Sequence, residues 1–363
     1  MGTFFIFLGV LSVLVLIHEL GHYMAARYFG IRVDEFAFGL PFTKAIFRIK
    51  IGETDYSIYP LIFGGFVKLH GEESKVKDDK KRSFWDRGRR QRMIVLAAGV
   101  IMNIVLSLVL FVTLYLVLGI PGAVRDLITI NFVEPGSPAA ASGLLVTDRI
   151  ISVNGQNFSD TRKFSQYISK YAGTPAKILI HRGVTVPLFE GIVEKSTQEI
   201  ILTAIPRVNP PVGQGALGIS ISVYPYVQTN GSGNVLMASV RVTGKWIERV
   251  FDGFRSIGQS LMAGKKPEGV AGPIGIYQLT GLVAGEGILP IIELVAILSV
   301  NLAIFNVLPI PALDGGRMFF IWLEWIRRKR ISTELEAKIN TWGMIFLLTL
   351  IVLISLQDVI KIW

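Results

Sequence analysis

Four long apolar runs constrain this chain more than any other feature. They cover about residues 4–29, 93–118, 288–313 and 341–360. Each reaches the roughly 20 mostly apolar residues that a helix needs to cross a bilayer core. Hydrocarbon offers the backbone no water, so such runs are expected as helices that satisfy their own N–H and C=O groups. Composition agrees: 51% of residues are hydrophobic and mean hydropathy is +0.52, whereas ordinary soluble domains sit near 45–50% apolar. The first run has no basic residue before it and no A-x-A-like site after it, so it is expected to remain as a span and not to be removed as a signal peptide. There is no cysteine, which excludes disulfides, thiolate catalysis and cysteine-ligated metals.

Charge sets the orientation. The formal net charge is +10, and the positive residues cluster beside the spans. That pattern reads as membrane topology and argues against a nucleic-acid partner. The first loop ends in "KKRSFWDRGRRQR", residues 80–92, and the third run is followed by "RRKR", residues 327–330. Basic residues in short loops stay in the cytoplasm, so both stretches are expected there. Both termini and residues 119–287 then lie on the other side, in contact with the bilayer but extracytoplasmic.

Inside the first run stands "HELGH", residues 18–22. On a helix, residues i and i+4 share a face. His18 and His22 can therefore offer two imidazole nitrogens to one ion, with Glu19 beside them to take a proton from a water on that ion. Two imidazoles, a carboxylate and one open position suit catalytic zinc, which lowers the pKa of a bound water from 15.7 to about 7. Ionisable groups are costly within a bilayer and usually mark function there. A compensating Zn2+ accounts for the cost, and a proton relay of a transporter is the alternative.

Two histidines leave such a site one ligand short. His181 falls in the extracytoplasmic segment, and His70 could reach the cluster only if the first loop folds back. Glu293 and Asp358 fall at outer ends of spans, and Glu324 lies further toward the cytoplasm. Asp314, in "NVLPIPALDGGRMFF" (residues 306–320), sits at matching depth late in the third run. Pro309 and Pro311 interrupt helical bonding there, and Gly315–Gly316 lets the chain turn. Broken backbone at membrane depth is tolerated where it lines a cavity or is buried in protein. Asn301 and Asn306 could hydrogen-bond a substrate backbone or hold helices together.

"HELGH" together with "NVLPIPALDGG" resembles the site-2 protease family of intramembrane zinc metalloproteases. The nearest type is the bacterial regulator-of-sigma-E protease, here with a single PDZ domain. The likeness covers nearly the whole chain. It implies that His18, His22 and Asp314 ligate Zn2+ and that Glu19 is the catalytic base. It also implies a multi-pass protein of the bacterial inner membrane that cuts single-span membrane proteins, such as anti-sigma factors or signal-peptide remnants, within or near their transmembrane helix.

The expected architecture is a polytopic α-helical membrane protein: four transmembrane helices, a membrane-associated β-hairpin region and one extracytoplasmic PDZ domain of α+β type. Residues 1–118 hold the first two spans and, at 36–70, the hairpin loop. In "DYSIYPLIFGGFVKLH" polar and apolar residues partly alternate. Gly64–Gly65 reads as a turn and is counted with Asn301 and Asn306 among the candidate substrate-binding residues. A free strand edge there could pair with an unwound substrate. Residues 119–222, with "INFVEPGSPAAASGLLVTDRIISVNGQNF" and "GALGISI", resemble a PDZ domain, which binds extended peptides or C-termini or else only limits access sterically. Residues 223–287 read as linker plus an amphipathic helix on the outer leaflet, with Trp246, Ile247, Val250, Phe251, Phe254, Ile257 and Leu261 on one face. Within them "VAGPIGIYQLTG" (270–281) also resembles the family. Residues 288–363 carry the last two spans. A non-catalytic PDZ adaptor is the alternative function, and it predicts decay of the metal set.

Overall fold

The computed structural model describes residues 2–72, 79–230, 233–265 and 272–362. The elements are α1 (Gly2–Tyr28), β1 (Val33–Leu40), β2 (Phe47–Ile51), β3 (Thr54–Ile58), β4 (Leu61–Leu69), α2 (Arg89–Leu118), β5 (Ile120–Val133), α3 (Pro138–Ala141), β6 (Arg149–Val153), β7 (Gln156–Asn157), α4 (Thr161–Lys170), β8 (Ala176–Leu188), β9 (Gly191–Ala204), β10 (Ile219–Asn230), α5 (Val235–Met262), α6 (Pro273–Gly285), α7 (Ile288–Val307), α8 (Asp314–Arg327) and α9 (Thr333–Ile362). Two compact units result: residues 1–113 with 236–363, and residues 114–235.

The first unit is mainly helical. Among the described residues, four helices are long and apolar enough to cross a membrane: Gly2–Tyr28, Arg89–Leu118, Ile288–Val307 and Glu334–Ile360. Val10 and Leu14 of α1 pack on Val295 of α7, with Leu106 and Leu110 of α2 alongside. The third apolar run is shorter than its composition suggests. Its helix stops at Val307, and Leu308 is extended, as a residue before proline prefers. Asp314 then opens a separate helix, α8.

The first loop is a mixed four-stranded sheet in the order β2-β3-β1-β4. Only β2–β3 is a hairpin of adjacent strands, closing at Gly52; β1 runs parallel to β3 and antiparallel to β4. The expectation of a turn at Gly64–Gly65 is wrong. Both glycines lie inside β4, where Gly65 pairs with Phe38. The reason they are glycines is close packing. A Cβ at Gly65 would sit 2.8 Å from the Ala37 carbonyl oxygen, 3.3 Å from Val15 and 3.6 Å from Glu19. The strand therefore lies flush against α1.

At the helix ends, charge is buried in pairs. Arg92 of α2 pairs with Glu324 of α8, both almost fully buried, and Arg92 also stands 5.5 Å over the Trp85 ring. Asp358 of α9 caps a different helix. Gly272 at the N-cap of α6 has no side chain to offer. Asp358 Oδ2 accepts from the Gly272 and Gly275 N–H groups instead, at 2.9 Å each. Gly272 must be glycine for this, because a Cβ there would lie 2.8 Å from that oxygen. Residues 270–271 of the family-like stretch lie outside the described residues. Losing a cap costs about 0.5–2 kcal/mol, so Asp358→Ala is expected to lower the thermal unfolding midpoint in detergent, and Asp358→Asn, which keeps an acceptor oxygen, to lower it less. An unchanged midpoint for the alanine variant would remove the cap from this account.

The amphipathic helix forms as α5, with Arg249 4.5 Å over the Trp246 ring. Its Phe254 ring meets Phe305, near the far end of α7, edge-on at 5.0 Å.

The second unit is a six-stranded sheet, β5-β10-β9-β8-β6-β7, that curls so that β5 also pairs with β6. Ile128, Ile130, Ile150, Ile178, Ile180 and Leu217 are at most 1–2% exposed and pack with Phe164 and Ile168 of α4. Full burial of such a side chain is worth about 1.5–3 kcal/mol. Ser137 caps α3 and Asp160 caps α4. β10 extends to Asn230, beyond the boundary expected from sequence. Among the described residues, it pairs with β9 at Tyr226 and Val227.

Candidate metal centre

The one-turn spacing of His18 and His22 brings both imidazoles to the same side of α1. The helix break after α7 brings Asp314 to meet them. His18 Nε2 lies 2.9 Å and His22 Nε2 3.1 Å from Asp314 Oδ2, and the two Nε2 atoms are 3.2 Å apart. Both histidines are buried. Donors at about 2.0 Å from a tetrahedral ion stand about 3.3 Å from one another. Two imidazoles and a carboxylate meeting at these separations fit a zinc ion and leave a fourth position for water.

The second helix supplies the backing. His22 Nδ1 donates to the Val95 carbonyl at 2.8 Å, which leaves Nε2 as the free acceptor that a metal requires. Gly99, one turn on, makes room for both rings: a Cβ there would be 2.5 Å from His22 Nε2 and 2.8 Å from His18 Cε1. Gly21, an interior residue of HELGH, lets the backbone of α2 approach at Ala98.

The donors open on a cavity of about 680 Å³. Glu19 lines it, with Gly65, Phe66 and Val67 of β4, Asn306 of α7, and Asn340, Thr341, Met344 and Ile345 of α9. Asn340 Oδ1 accepts the N–H of Ala312, a non-glycine residue at φ +77°, and so holds the turn that delivers Asp314. Arg317, one turn beyond Asp314, pairs with Glu72 at the cavity wall. The Glu72 carboxylate raises the Arg317 guanidinium above its ordinary range, so it stays cationic.

The profile of peptidase family M50 matches residues 6–350. The chain belongs to that family. A Clostridium perfringens protein carrying a provisional zinc-metalloprotease name is 33% identical over 349 residues, 96% of each chain. Zinc metalloprotease RasP of Geobacillus kaustophilus is 27% identical over 432 residues, covering 98% of this chain and 97% of its own. RasP of Bacillus licheniformis is 27% identical over 440 residues, 99% of each. This M50 peptidase is a zinc metalloendopeptidase, and its four apolar helices make it a multi-pass membrane protein. An adaptor without catalysis is thereby set aside.

Of the residues singled out from sequence in this M50 peptidase, His18, Glu19, His22, Asp314, Asn306 and Gly65 come together at the cavity. Asn301 does not line it; its amide donates to the Ile297 carbonyl one turn back, at 3.1 Å. Gly64 is likewise absent from the lining. His70 pairs with Asp34, and His181 lies between Glu194 and Glu199 in the second unit. Neither joins the cluster. Sequence reading passed over Gly99, Asn103 and the Arg317–Glu72 pair. Asn103 carried a readable signal, a polar side chain within an apolar span.

Proposed function

We propose that this protein hydrolyses peptide bonds within or near the transmembrane helix of single-span membrane proteins, with His18, His22 and Asp314 holding the zinc and Glu19 as the base. The observation that carries this is the meeting of three donor atoms and Glu19 in a cavity walled by apolar membrane helices and one strand. When bound, zinc supplies Lewis-acid polarisation and a water acidic enough to be deprotonated near neutral pH. With zinc held there, the Glu19 carboxylate would accept a proton from the attacking water and would return it to the leaving amine. Asn306 donates to the substrate backbone. β4 and Gly65 hold the substrate extended next to Glu19, since an intact helix shields its carbonyls from attack.

The basic stretches at 80–92 and 327–330 orient the chain in a bacterial inner membrane, with the second unit and both termini extracytoplasmic. That second unit acts as a single PDZ domain. Among the described residues, the early part of β10 has no β9 pairing, so a strand edge is offered to an extended peptide or C-terminus beside α4. Anti-sigma factors and signal-peptide remnants are the substrate classes this reading favours.

The test uses the full chain in detergent. Zinc per chain is counted, and a panel of single-span peptides is digested before and after chelation. About one zinc per chain is expected, with cleavage mapped by mass spectrometry inside the apolar segment, lost on chelation and restored by zinc. Cleavage that survives complete removal of metal would reject the mechanism, and cuts confined to soluble segments would reject the substrate class.

A further inference from the structure

The two histidines are backed differently. His22 has the Val95 carbonyl. His18 turns Nε2 toward His22 and Asp314, so when Nε2 gives its lone pair to zinc a neutral His18 carries its proton on Nδ1. That proton lies in a buried place and needs an acceptor, because a buried N–H without one keeps its full desolvation penalty. The group facing it is Asn103 of α2, which is 0% exposed, with Nδ2 3.3 Å from His18 Nδ1. Asn103 Oδ1, by contrast, is buried with no hydrogen-bond partner. A half-turn of the amide, which exchanges two atoms of nearly equal size, points Oδ1 at the Nδ1 proton and gives that oxygen a partner.

We propose that Asn103 is the positioning residue of this site: its side-chain oxygen accepts the His18 Nδ1 proton and so fixes the ring orientation and tautomer that present Nε2 to zinc. Asn103 is itself held in place. Its backbone carbonyl accepts from Ser299 Oγ of α7 at 2.8 Å, tying α1, α2 and α7 together at one level. Along α2, Val95, Gly99 and Asn103 recur at helical spacing on the face that meets α1, so one helix backs both histidines without contributing a ligand.

The inference rests on the zinc reading of His18, His22 and Asp314. Its test separates the two. Wild type, Asn103→Ala and Asn103→Asp are purified as full chains. Zinc per chain and the rate of zinc loss to a competing chelator are measured, together with the visible bands of the cobalt-substituted proteins. Loss of a partner of this kind costs about 10–100-fold in metal affinity. Asn103→Ala is expected to lose zinc that much faster and to shift the cobalt bands. Asn103→Asp, whose carboxylate also accepts, is expected to retain zinc as the wild type does. A merely structural role would leave retention and spectrum alike in all three folded proteins, and that result overturns the proposal. So does an aspartate variant no better than alanine. If alanine does not fold, Asn103→Leu, which fills the same space but cannot accept, takes its place with the same two expected outcomes. A wild type that binds no zinc would instead sink the reading of the three ligands, and this inference with it.

Discussion

Glu19→Gln is expected to keep about one zinc per chain and to lower peptide cleavage by about 10²–10⁴-fold, the usual contribution of a positioned acid–base group. Glutamine matches glutamate in size but cannot take a proton. Glu19 lines the cavity but is not one of the three groups whose donor atoms converge, so the metal should stay. The variant thus separates chemistry from binding, and single-turnover cleavage with zinc counted in the same sample reads both. Cleavage within about threefold of wild type would remove Glu19 from the chemistry. Loss of zinc as well would make it a ligand.

Gly99→Ala is expected to be nearly as damaging, although it adds one methyl to a helix that holds no proposed ligand. The new Cβ would lie 2.5 Å from His22 Nε2, 2.7 Å from His22 Cε1 and 2.8 Å from His18 Cε1. Relief requires the rings to rotate or α2 to withdraw. Withdrawal breaks the His22–Val95 bond and opens the close contact at Gly21. Rotation turns Nε2 away from the proposed zinc position. Overpacking of this kind costs about 1–3 kcal/mol, and misplacing a reacting group by about 1 Å can cost 10²-fold in rate. Activity should fall by about that factor, with weakened zinc retention and unchanged helix content. Gly9→Ala is the matched control: it lies in α1 with nothing within 4 Å of its would-be Cβ, and should cut normally. Normal zinc and activity in Gly99→Ala would show that the helices give way easily there.

Much of the site was readable because its chemistry is local in sequence. HELGH needs only helical spacing to gather two imidazoles, and the Pro309–Pro311 pair announces that the backbone departs from a helix before Asp314. The spans were readable for a similar reason, since hydropathy is a sum over one segment. What escaped depends on which segments meet. Gly64–Gly65 has the composition of a turn, yet sits mid-strand because α1 leaves no space for a Cβ. Asn301 read, like Asn306, as a candidate for substrate binding or for holding helices together, yet its amide bonds its own helix. Gly99 carries no chemistry at all, and its importance arises only once α1 lies against it. Asp358 looked like a span-end acid, and it caps a helix far away in sequence.

The break between α7 and α8 has a thermodynamic consequence. The third donor begins its own helix, reached through a turn held by Asn340 of α9. The donor atoms therefore converge only when α1, α8 and the elements that brace them are already docked. On the proposed ligand set, free energy released by the ion would be shared with that docking. By linkage, a metal present at about 100 times its dissociation constant adds about 2.7 kcal/mol to the assembled state. Metal supply would thus govern how firmly the bundle is closed as well as whether it can cut.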